Sequence, residues 1–291
     1  MQVHSSMENL PEIASPVVTV GSFDGVHVGH RVIIGRLKAL AEKVNGSSVL
    51  ITFHPHPRKV LYPDTLGKDL KLINSQSEKI TLLEDLGLDH LVIMEFTQDF
   101  ARTSSDDFVE HFLVGKLGAH TIVVGFNHYF GYNREGSYAS LYKAGKRLGF
   151  RVEEIPKQEI QNETVSSTRI RKALKEGNIQ RANAYLEHHY MICANMEALP
   201  EEHGRSCYKI PVCDPHKLLP PAGGYAASFS SNDRFEKALV TVKGHSALLF
   251  PLDPGTVPGP GEEPVRFHKR LVVNPDHDFI SMFDEVRELI Y

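Results

Sequence analysis

The chain has 291 residues, of which 41% are hydrophobic and 23% are charged, as is typical of a globular protein with a core. Its 32 basic and 36 acidic residues give a net charge of −4, which argues against a chain-wide electrostatic grip on nucleic acid or an anionic membrane. No apolar run reaches the roughly 18 residues of a spanning helix, and residues 1–16 lack the apolar stretch of a secretory signal. We therefore expect a cytoplasmic protein with reduced cysteines and no membrane or nucleic-acid partner.

From residue 17 to about residue 185, short β-rich runs alternate with longer helical patterns. The predicted strands cover 17–20, 49–53, 91–95, 121–125 and 151–155. The predicted helices between them cover 30–44, 75–87, 104–118 and 137–149. Leu-Gly pairs at 86–87, 117–118 and 148–149 are typical of helix C-caps. This alternation predicts an α/β fold with a doubly wound parallel sheet, in which ligands bind beyond the carboxyl ends of the strands.

The pattern changes after residues 168–190, which predict one or two helices. Turn clusters at 218–225 and 253–264 surround a strand candidate at 237–244, and a helical pattern over 281–291 closes the chain. We therefore predict an α/β domain over residues 1–187 and a smaller antiparallel β domain over residues 188–291.

The stretch Gly21–His30, GSFDGVHVGH, follows the first predicted strand. Residues 21–25 then form a turn, and His27 and His30 lie one helical turn apart near the start of a helix that begins at about His30. A helix start offers unpaired N–H groups and partial positive charge, and imidazoles can donate hydrogen bonds to phosphate oxygens. A metal site built on the two histidines is the alternative.

A second candidate anion site lies in VSSTRIRKALKEGNI, residues 165–179. Ser166, Ser167 and Thr168 precede a predicted helix, so they can cap it while presenting hydroxyl and N–H groups to an anion. Arg171, one turn further on, can act as a forked donor to a triphosphate. An ordinary N-cap with solvated arginines is the alternative.

Two further segments follow predicted strands. In ITFHPHPRKVL, residues 51–61, the prolines predict a stiff loop, from which His56 and Arg58 could face a second anionic ligand. In VVGFNHYFGYNREGS, residues 123–137, the aromatic side chains could pack on a flat ring, although aromatic residues at strand ends more often belong to the core. An ordered surface loop is the alternative for the first of these segments.

These four segments, in this order, closely resemble motifs of the prokaryotic FAD synthetase family of bifunctional riboflavin kinase/FMN adenylyltransferases. The H-x-G-H pattern also marks the wider nucleotidyltransferase superfamily. The resemblance implies a Rossmann-like sheet of the nucleotidyltransferase type, followed by a β-barrel domain. It further implies transfer of AMP from ATP to FMN, giving FAD and pyrophosphate, with Mg²⁺ bridged by the ATP phosphates rather than held by protein ligands.

The resemblance also assigns roles to individual residues. The implied catalytic residues are His27, His30 and Arg171. The implied ATP-binding residues are Gly21, Phe23, Asp24, Gly25, Gly29, Ser166, Ser167 and Thr168. The implied flavin-binding residues are Phe53, His56, Arg58, Asn127, Phe130 and Arg134.

The resemblance weakens in the second domain, where the family's kinase carries a G-x-P-T-A-N stretch. Residues 211–214, Pro-Val-Cys-Asp, stand in its place, Lys209 stands where the glycine belongs, and Val212 supplies no hydroxyl. Our hypothesis is a shortened domain without kinase activity that serves as a structural or partner-binding module. The alternatives are a fully bifunctional enzyme, a nucleotidyltransferase with another phosphorylated acceptor, and a nonenzymatic flavin- or nucleotide-binding regulator. The sequence does not define the oligomeric state.

Overall fold

A computed structural model describes residues 1–126, 128–156, 159–160, 163–232, 234–271 and 279–289. The chain forms two compact units, the first made of residues 1–70 and 80–164 and the second of residues 71–79 and 165–291. Residues 165–187 therefore group with the second unit by their contacts. The predicted boundary between residues 187 and 188 separates domains by function, not by contacts, and it stays a prediction.

The first unit contains a parallel sheet and its helices. Its strands are β1 (Gln2–His4), β2 (Val17–Val20), β3 (Ser48–His54), β4 (His90–Glu95), β5 (Thr121–Gly125), β6 (Arg151–Ile155) and the short pair β7 (Glu159–Ile160) and β8 (Glu163–Thr164). Its helices are α1 (Val28–Lys43), α2 (Pro57–Leu61), α3 (Gln76–Asp85, which begins in the segment 71–79), α4 (Ser105–Asp107) and α5 (Tyr138–Leu148). A π-helix, Phe108–Lys116, continues α4, and short 3₁₀ turns cover Phe100–Arg102 and Tyr132–Arg134.

The six main strands pair in the order β1-β4-β3-β2-β5-β6, and every pair is parallel. This confirms the predicted α/β sheet, because apolar runs such as Val17–Val20 are buried on both faces, as parallel strands require. Gly87, Gly118 and Gly149 all have positive φ where the predicted C-caps lie. Strand β1 was not predicted, since its three residues are largely exposed and show no apolar run, and it is held by pairing with β4.

The second unit contains an antiparallel sheet. Its helices are α6 (Ser167–Lys175), α7 (Ile179–Leu186) and α8 (Phe279–Glu288), and its strands are β9 (Tyr190–Ala194), β10 (Glu197–Glu202), β11 (Arg205–Ile210), β12 (Gly223–Ser231), β13 (Arg234–Lys243), β14 (Ser246–Pro251) and β15 (Glu263–Arg270). The strands pair in the order β10-β11-β14-β13-β12-β15-β9, all antiparallel. The predicted antiparallel β domain is therefore confirmed. Within the part of the chain that the structure describes, these pairings make an open sheet and do not close it into a barrel.

Apolar residues of β12, β13 and β14 pack against α8, with Leu239, Phe250 and Phe283 in the core of this unit. Helix α8 begins two residues before the predicted position at 281, and residues 290–291 lie outside the described residues. None of the helices in the described ranges is long and apolar enough to cross a membrane.

Candidate nucleotide site

The turn after β2 carries the first motif. Phe23, Gly25 and Val26 all have positive φ, at 47°, 93° and 41°, so the chain turns sharply between the strand and α1. Helix α1 begins at Val28, with His27 as its extended N-cap, so it starts two residues before the predicted position. His30 therefore lies in the first helical turn, whose N–H groups and partial positive charge favour an anion.

Three rings stack at this helix start. The ring centroids of Phe23 and His30 are 4.3 Å apart, and those of His27 and His30 are 3.7 Å apart with an interplanar angle of 17°. A Cβ on Gly21 would lie 3.1 Å from the Phe23 ring, and a Cβ on Gly29 would lie 3.2 Å from the His27 ring. The two glycines thus leave the space in which the rings pack, and the structure brings these five predicted residues together.

Asp24 lies at the tip of this turn and is only 2% exposed. Asp24 precedes His27 by three residues and His30 by six residues. A buried carboxylate beside a helix start is suited to orienting an imidazole or a hydrated cation.

The sheet order places this turn at a switch point. Strand β2 pairs with β3 on one side and with β5 on the other, so the order of strands along the chain reverses at β2. Ligands of open α/β sheets bind beyond the carboxyl ends of the strands at such a point. The motifs that follow β2, β3 and β5 share this edge of the first unit, because parallel strands end on the same side.

The segment after β3 differs from the predicted loop. Residues 57–61 form the short helix α2, because Pro57 has a φ suited to the first helical position and needs no N–H partner there. The Nδ1 atom of His56 caps this helix by accepting a hydrogen bond from the Arg58 N–H at 3.2 Å. Phe53 is partly buried and packs against Phe96 and Phe100, with ring centroids 5.4 and 5.8 Å away.

The segment after β5 contains one aromatic residue that packs on the core and one exposed contact between an arginine and a tyrosine. Phe130 is partly buried against the core of the first unit, and a Cβ on Gly136 would lie 2.7 Å from its ring. The Arg134 guanidinium lies over the exposed Tyr129 ring, 5.0 Å from its centroid. Asn127 lies outside the described residues. Burial lowers the pKa of the neighbouring His128 to about 4, so this imidazole is neutral at pH 7, which the sequence patterns gave no reason to expect.

The fourth motif lies in the second unit. Ser166 is the N-cap of α6, and its hydroxyl accepts a hydrogen bond from the Arg169 N–H at 3.4 Å, as predicted. The prediction that Ser167 and Thr168 precede the helix was wrong, since they are its first two residues, beside the N–H groups of the first turn. Arg171 lies one turn inside and is 9% exposed, and its Nε donates to the Lys71 carbonyl at 2.9 Å. The structure therefore groups three motifs in the first unit and the fourth in the second.

All three cysteines, Cys193, Cys207 and Cys213, are free thiols. Across the described ranges, no group of three or more His, Cys, Asp or Glu side chains could hold a metal ion.

A parallel sheet with a switch point, followed there by a glycine turn and an H-x-G-H pair at a helix start, is the arrangement that the resemblance to the nucleotidyltransferase superfamily predicts. The model of a family described as FAD synthetase matches residues 11–169. The chain therefore belongs to the FAD synthetase family, as the resemblance predicted.

Curated relatives agree with this assignment, and a solved structure shares the fold. The bifunctional riboflavin kinase/FMN adenylyltransferase of Listeria monocytogenes is 30% identical over 230 residues, which are 78% of this chain and 71% of the relative. The protein of the same description from Bacillus subtilis is 35% identical over 186 residues, but this match spans only 56% of its length. A crystal structure described as a macrolide-efflux protein from Streptococcus pneumoniae is 21% identical, has a TM-score of 0.81 and covers 98% of this chain and 95% of its own. At that identity it shows a shared fold alone.

Proposed function

We propose that the chain is an FMN adenylyltransferase, which transfers AMP from ATP to FMN and gives FAD and pyrophosphate. The observation that carries this proposal is the stack of Phe23, His30 and His27 at the start of α1, at the switch point of a sheet in a member of the FAD synthetase family. Both substrates are phosphorylated small molecules, which suits a helix start with two imidazoles.

In the proposed reaction, an FMN phosphate oxygen attacks the α-phosphorus of ATP, and the bond from that phosphorus to the oxygen bridging to the β-phosphorus breaks. The protein then has mainly to hold the reactants in line and to neutralise the charge that develops on the phosphate oxygens. His27 and His30 donate hydrogen bonds to these oxygens, together with the first N–H groups of α1. Because Gly25 carries no side chain, the phosphates can approach the backbone of the turn closely, while Gly21 and Gly29 contribute by leaving room for the Phe23 and His27 rings.

The leaving pyrophosphate is assigned to the fourth motif. Ser166, Ser167 and Thr168 supply hydroxyl and N–H donors at the start of α6, and Arg171 supplies a guanidinium for the β- and γ-phosphates. This role requires that the guanidinium be held in one orientation, and its bond to the Lys71 carbonyl serves that purpose.

Mg²⁺ belongs to the proposal as a cofactor that would accompany ATP. The buried carboxylate of Asp24 is the residue that would hold water bound to the ion, since a carboxylate oxygen accepts hydrogen bonds from such water. When bound, the ion supplies positive charge that neutralises the phosphate oxygens.

The flavin is assigned to the segments that follow β3 and β5. Phe53 and Phe130 offer aromatic surface, and His56, Arg58 and Arg134 offer donors for the FMN phosphate. Asn127, which lies outside the described residues, completes the proposed set.

Replacing either histidine tests the proposal. We expect His27→Ala and His30→Ala to lower the rate of FAD formation on the order of 100-fold, as is typical when a donor to a developing oxyanion is lost. Their melting temperatures should change far less. His111→Ala is the control, because the His111 side chain is 70% exposed on the π-helix and should leave the rate unchanged. Unchanged turnover in both His27→Ala and His30→Ala would contradict the assignment of the two histidines to the phosphates.

We further propose that residues 188–291 do not phosphorylate riboflavin. Val212 offers no hydroxyl, and the Asp214 carboxylate accepts the His216 N–H at 2.7 Å, so it stabilises its own turn. The test supplies ATP, Mg²⁺ and either riboflavin or FMN and separates the products by chromatography. FAD formed from FMN alone supports the proposal, whereas FMN formed from riboflavin contradicts it. A product from another phosphorylated acceptor, but none from FMN, would favour a different nucleotidyltransferase.

A further inference from the structure

The second unit contains a buried lysine that its sequence pattern does not explain. Lys217 and Glu78 are each 1% exposed and form an ion pair, and the Lys217 Nζ also donates to the carbonyls of Ile73 and Met191 at 2.7 Å each. Glu78 in turn accepts the N–H groups of Ser75 and Cys193. Each of the three ammonium protons therefore has an acceptor, which is the condition under which a buried charge persists.

This ion pair is part of a longer attachment between two segments of the second unit. We call residues 71–79 the connector and residues 214–218 the ledge. The Leu72 N–H donates to the His216 carbonyl at 2.7 Å, and the Leu218 N–H donates to the Leu72 carbonyl at 2.8 Å. The Lys71 ammonium donates to the Pro215 carbonyl at 2.6 Å. The connector is thus held on the ledge from its first residue onward.

The connector also holds the side chain of Arg171. The Lys71 carbonyl accepts the Arg171 Nε–H at 2.9 Å, and this carbonyl is followed directly by the Leu72 N–H that binds the ledge. Because Nε lies in the guanidinium plane, a fixed acceptor at Nε fixes the direction of the whole fork. The peptide unit between Lys71 and Leu72 therefore contacts the ledge through its N–H and Arg171 through its carbonyl, so the position of the ledge sets the position of the guanidinium.

The ledge owes its shape to Asp214. The carboxylate accepts the His216 N–H at 2.7 Å, and the Asp214 carbonyl accepts the Lys217 N–H at 3.0 Å. This turn presents the His216 carbonyl to Leu72 and directs Lys217 into the interior.

We infer that the ledge, shaped by Asp214 and anchored by Lys217, is the positioning element for Arg171 in adenylyl transfer. Asp214 and Lys217 are positioning residues in this scheme, since they act through the connector and do not touch ATP. The inference rests on the proposed function of Arg171. It gives Asp214, the last residue of the segment that replaces the kinase stretch, a task in the transferase reaction.

A matched pair of variants at Asp214 tests the inference. Asp214→Ala removes the acceptor that shapes the ledge, whereas Asp214→Asn removes the charge but keeps an oxygen that can accept the His216 N–H. We expect Asp214→Ala to lower kcat for FAD formation about 10-fold with KM for FMN within about twofold, since small displacements of a phosphate-binding group are costly. Asp214→Asn should stay within about twofold of wild type in both constants.

A double-mutant cycle separates positioning from a merely structural role. In an Arg171→Ala background, Asp214→Ala should cause no further loss of kcat, because the group on which it acts is gone. The same loss in both backgrounds would show an effect that does not pass through Arg171 and would overturn the inference. Wild-type activity in Asp214→Ala would overturn it too, while leaving the proposed function intact.

Lys71→Met repeats the test from the connector side if Asp214→Ala does not fold. It removes the bond to Pro215 at a partly exposed position, and we expect a smaller fall in kcat of about threefold that is again absent in the Arg171→Ala background. An unchanged kcat in Lys71→Met, or a fall that persists in that background, would overturn the inference. If the wild-type protein forms no FAD from ATP and FMN, the proposed function fails and the inference fails with it.

Discussion

At the scale of single residues, the first motif needs glycine where a side chain would collide with a histidine ring. Gly29 lies within α1, where alanine would ordinarily stabilise the helix. The His27 ring nevertheless occupies the space beside its Cα, with Cε1 only 3.2 Å from the position of an added Cβ. Gly29 lowers the stability of α1, but it leaves the space that the His27 ring occupies.

Gly29→Ala tests this explanation. We expect the added methyl to displace the His27 ring and to lower the rate of FAD formation roughly 10-fold, as a small misplacement at a reacting centre does. Gly35→Ala in the same helix is the matched control, because an added Cβ there meets no atom within 4 Å. The control should raise the free energy of unfolding by roughly 0.5–1 kcal/mol without changing the rate. Equal rates for the two variants would contradict the explanation.

At the scale of elements, two helix starts in the second unit have the same chemistry but different proposed tasks. Ser166 caps α6 by accepting the Arg169 N–H, and Asn178 caps α7 by accepting the Arg181 N–H. Each cap satisfies one donor of a first helical turn. Only the start of α6 carries the residues that we assign to the leaving pyrophosphate.

Alanine at the two caps should separate stability from activity. Ser166→Ala and Asn178→Ala should each lower the free energy of unfolding by about 1 kcal/mol, measured by urea denaturation. Ser166→Ala alone should also reduce kcat/KM for ATP roughly 10-fold, the cost of a lost hydrogen bond to a charged group. A similar loss of activity in Asn178→Ala would show that helix stability, rather than an anion contact, is being measured.

At the scale of the whole molecule, each unit contains a histidine that the fold keeps neutral. Burial lowers the pKa of His128 in the first unit to about 4. Burial, assisted by the charges of His189, Arg266 and Lys237, lowers the pKa of His268 in the second unit to about 3. A histidine in the unfolded chain titrates near pH 6.5. Below that pH, these two histidines are therefore protonated in the unfolded chain but stay neutral in the folded chain.

Because the unfolded state binds more protons than the folded state in this range, the folded state becomes less stable as the pH falls. We expect the free energy of unfolding to decrease from about pH 6.5 down to about pH 4 for His128, as the unfolded state gains its proton first. His128→Phe keeps a ring beside Phe130, whose centroid is 5.9 Å from that of His128, and removes the titration. Urea denaturation across this range should show a shallower loss of stability in the variant. A slope as steep as that of wild type would contradict the assignment.

Much of the fold was predictable because its signals are local. Alternating apolar runs and helical periods identified five strands of the parallel sheet, and Leu-Gly pairs marked helix ends at residues 87, 118 and 149, where glycine takes positive φ. Cap chemistry likewise identified the start of α6 at Ser166. The short helix after Pro57 was missed, because proline signals both a stiff loop and a first helical turn.

By itself, the sequence determined the class of sheet and the antiparallel second domain, and it predicted candidate residues for phosphate binding, since periodicity, caps and glycine turns are properties of neighbouring residues. Only the tertiary structure decided that β1 joins the sheet, that β2 lies between β3 and β5, and that three rings stack at α1. It also decided that Lys217 holds the carbonyl of Ile73, 144 residues away. Pairings between such distant residues depend on packing and leave no periodic trace in the chain.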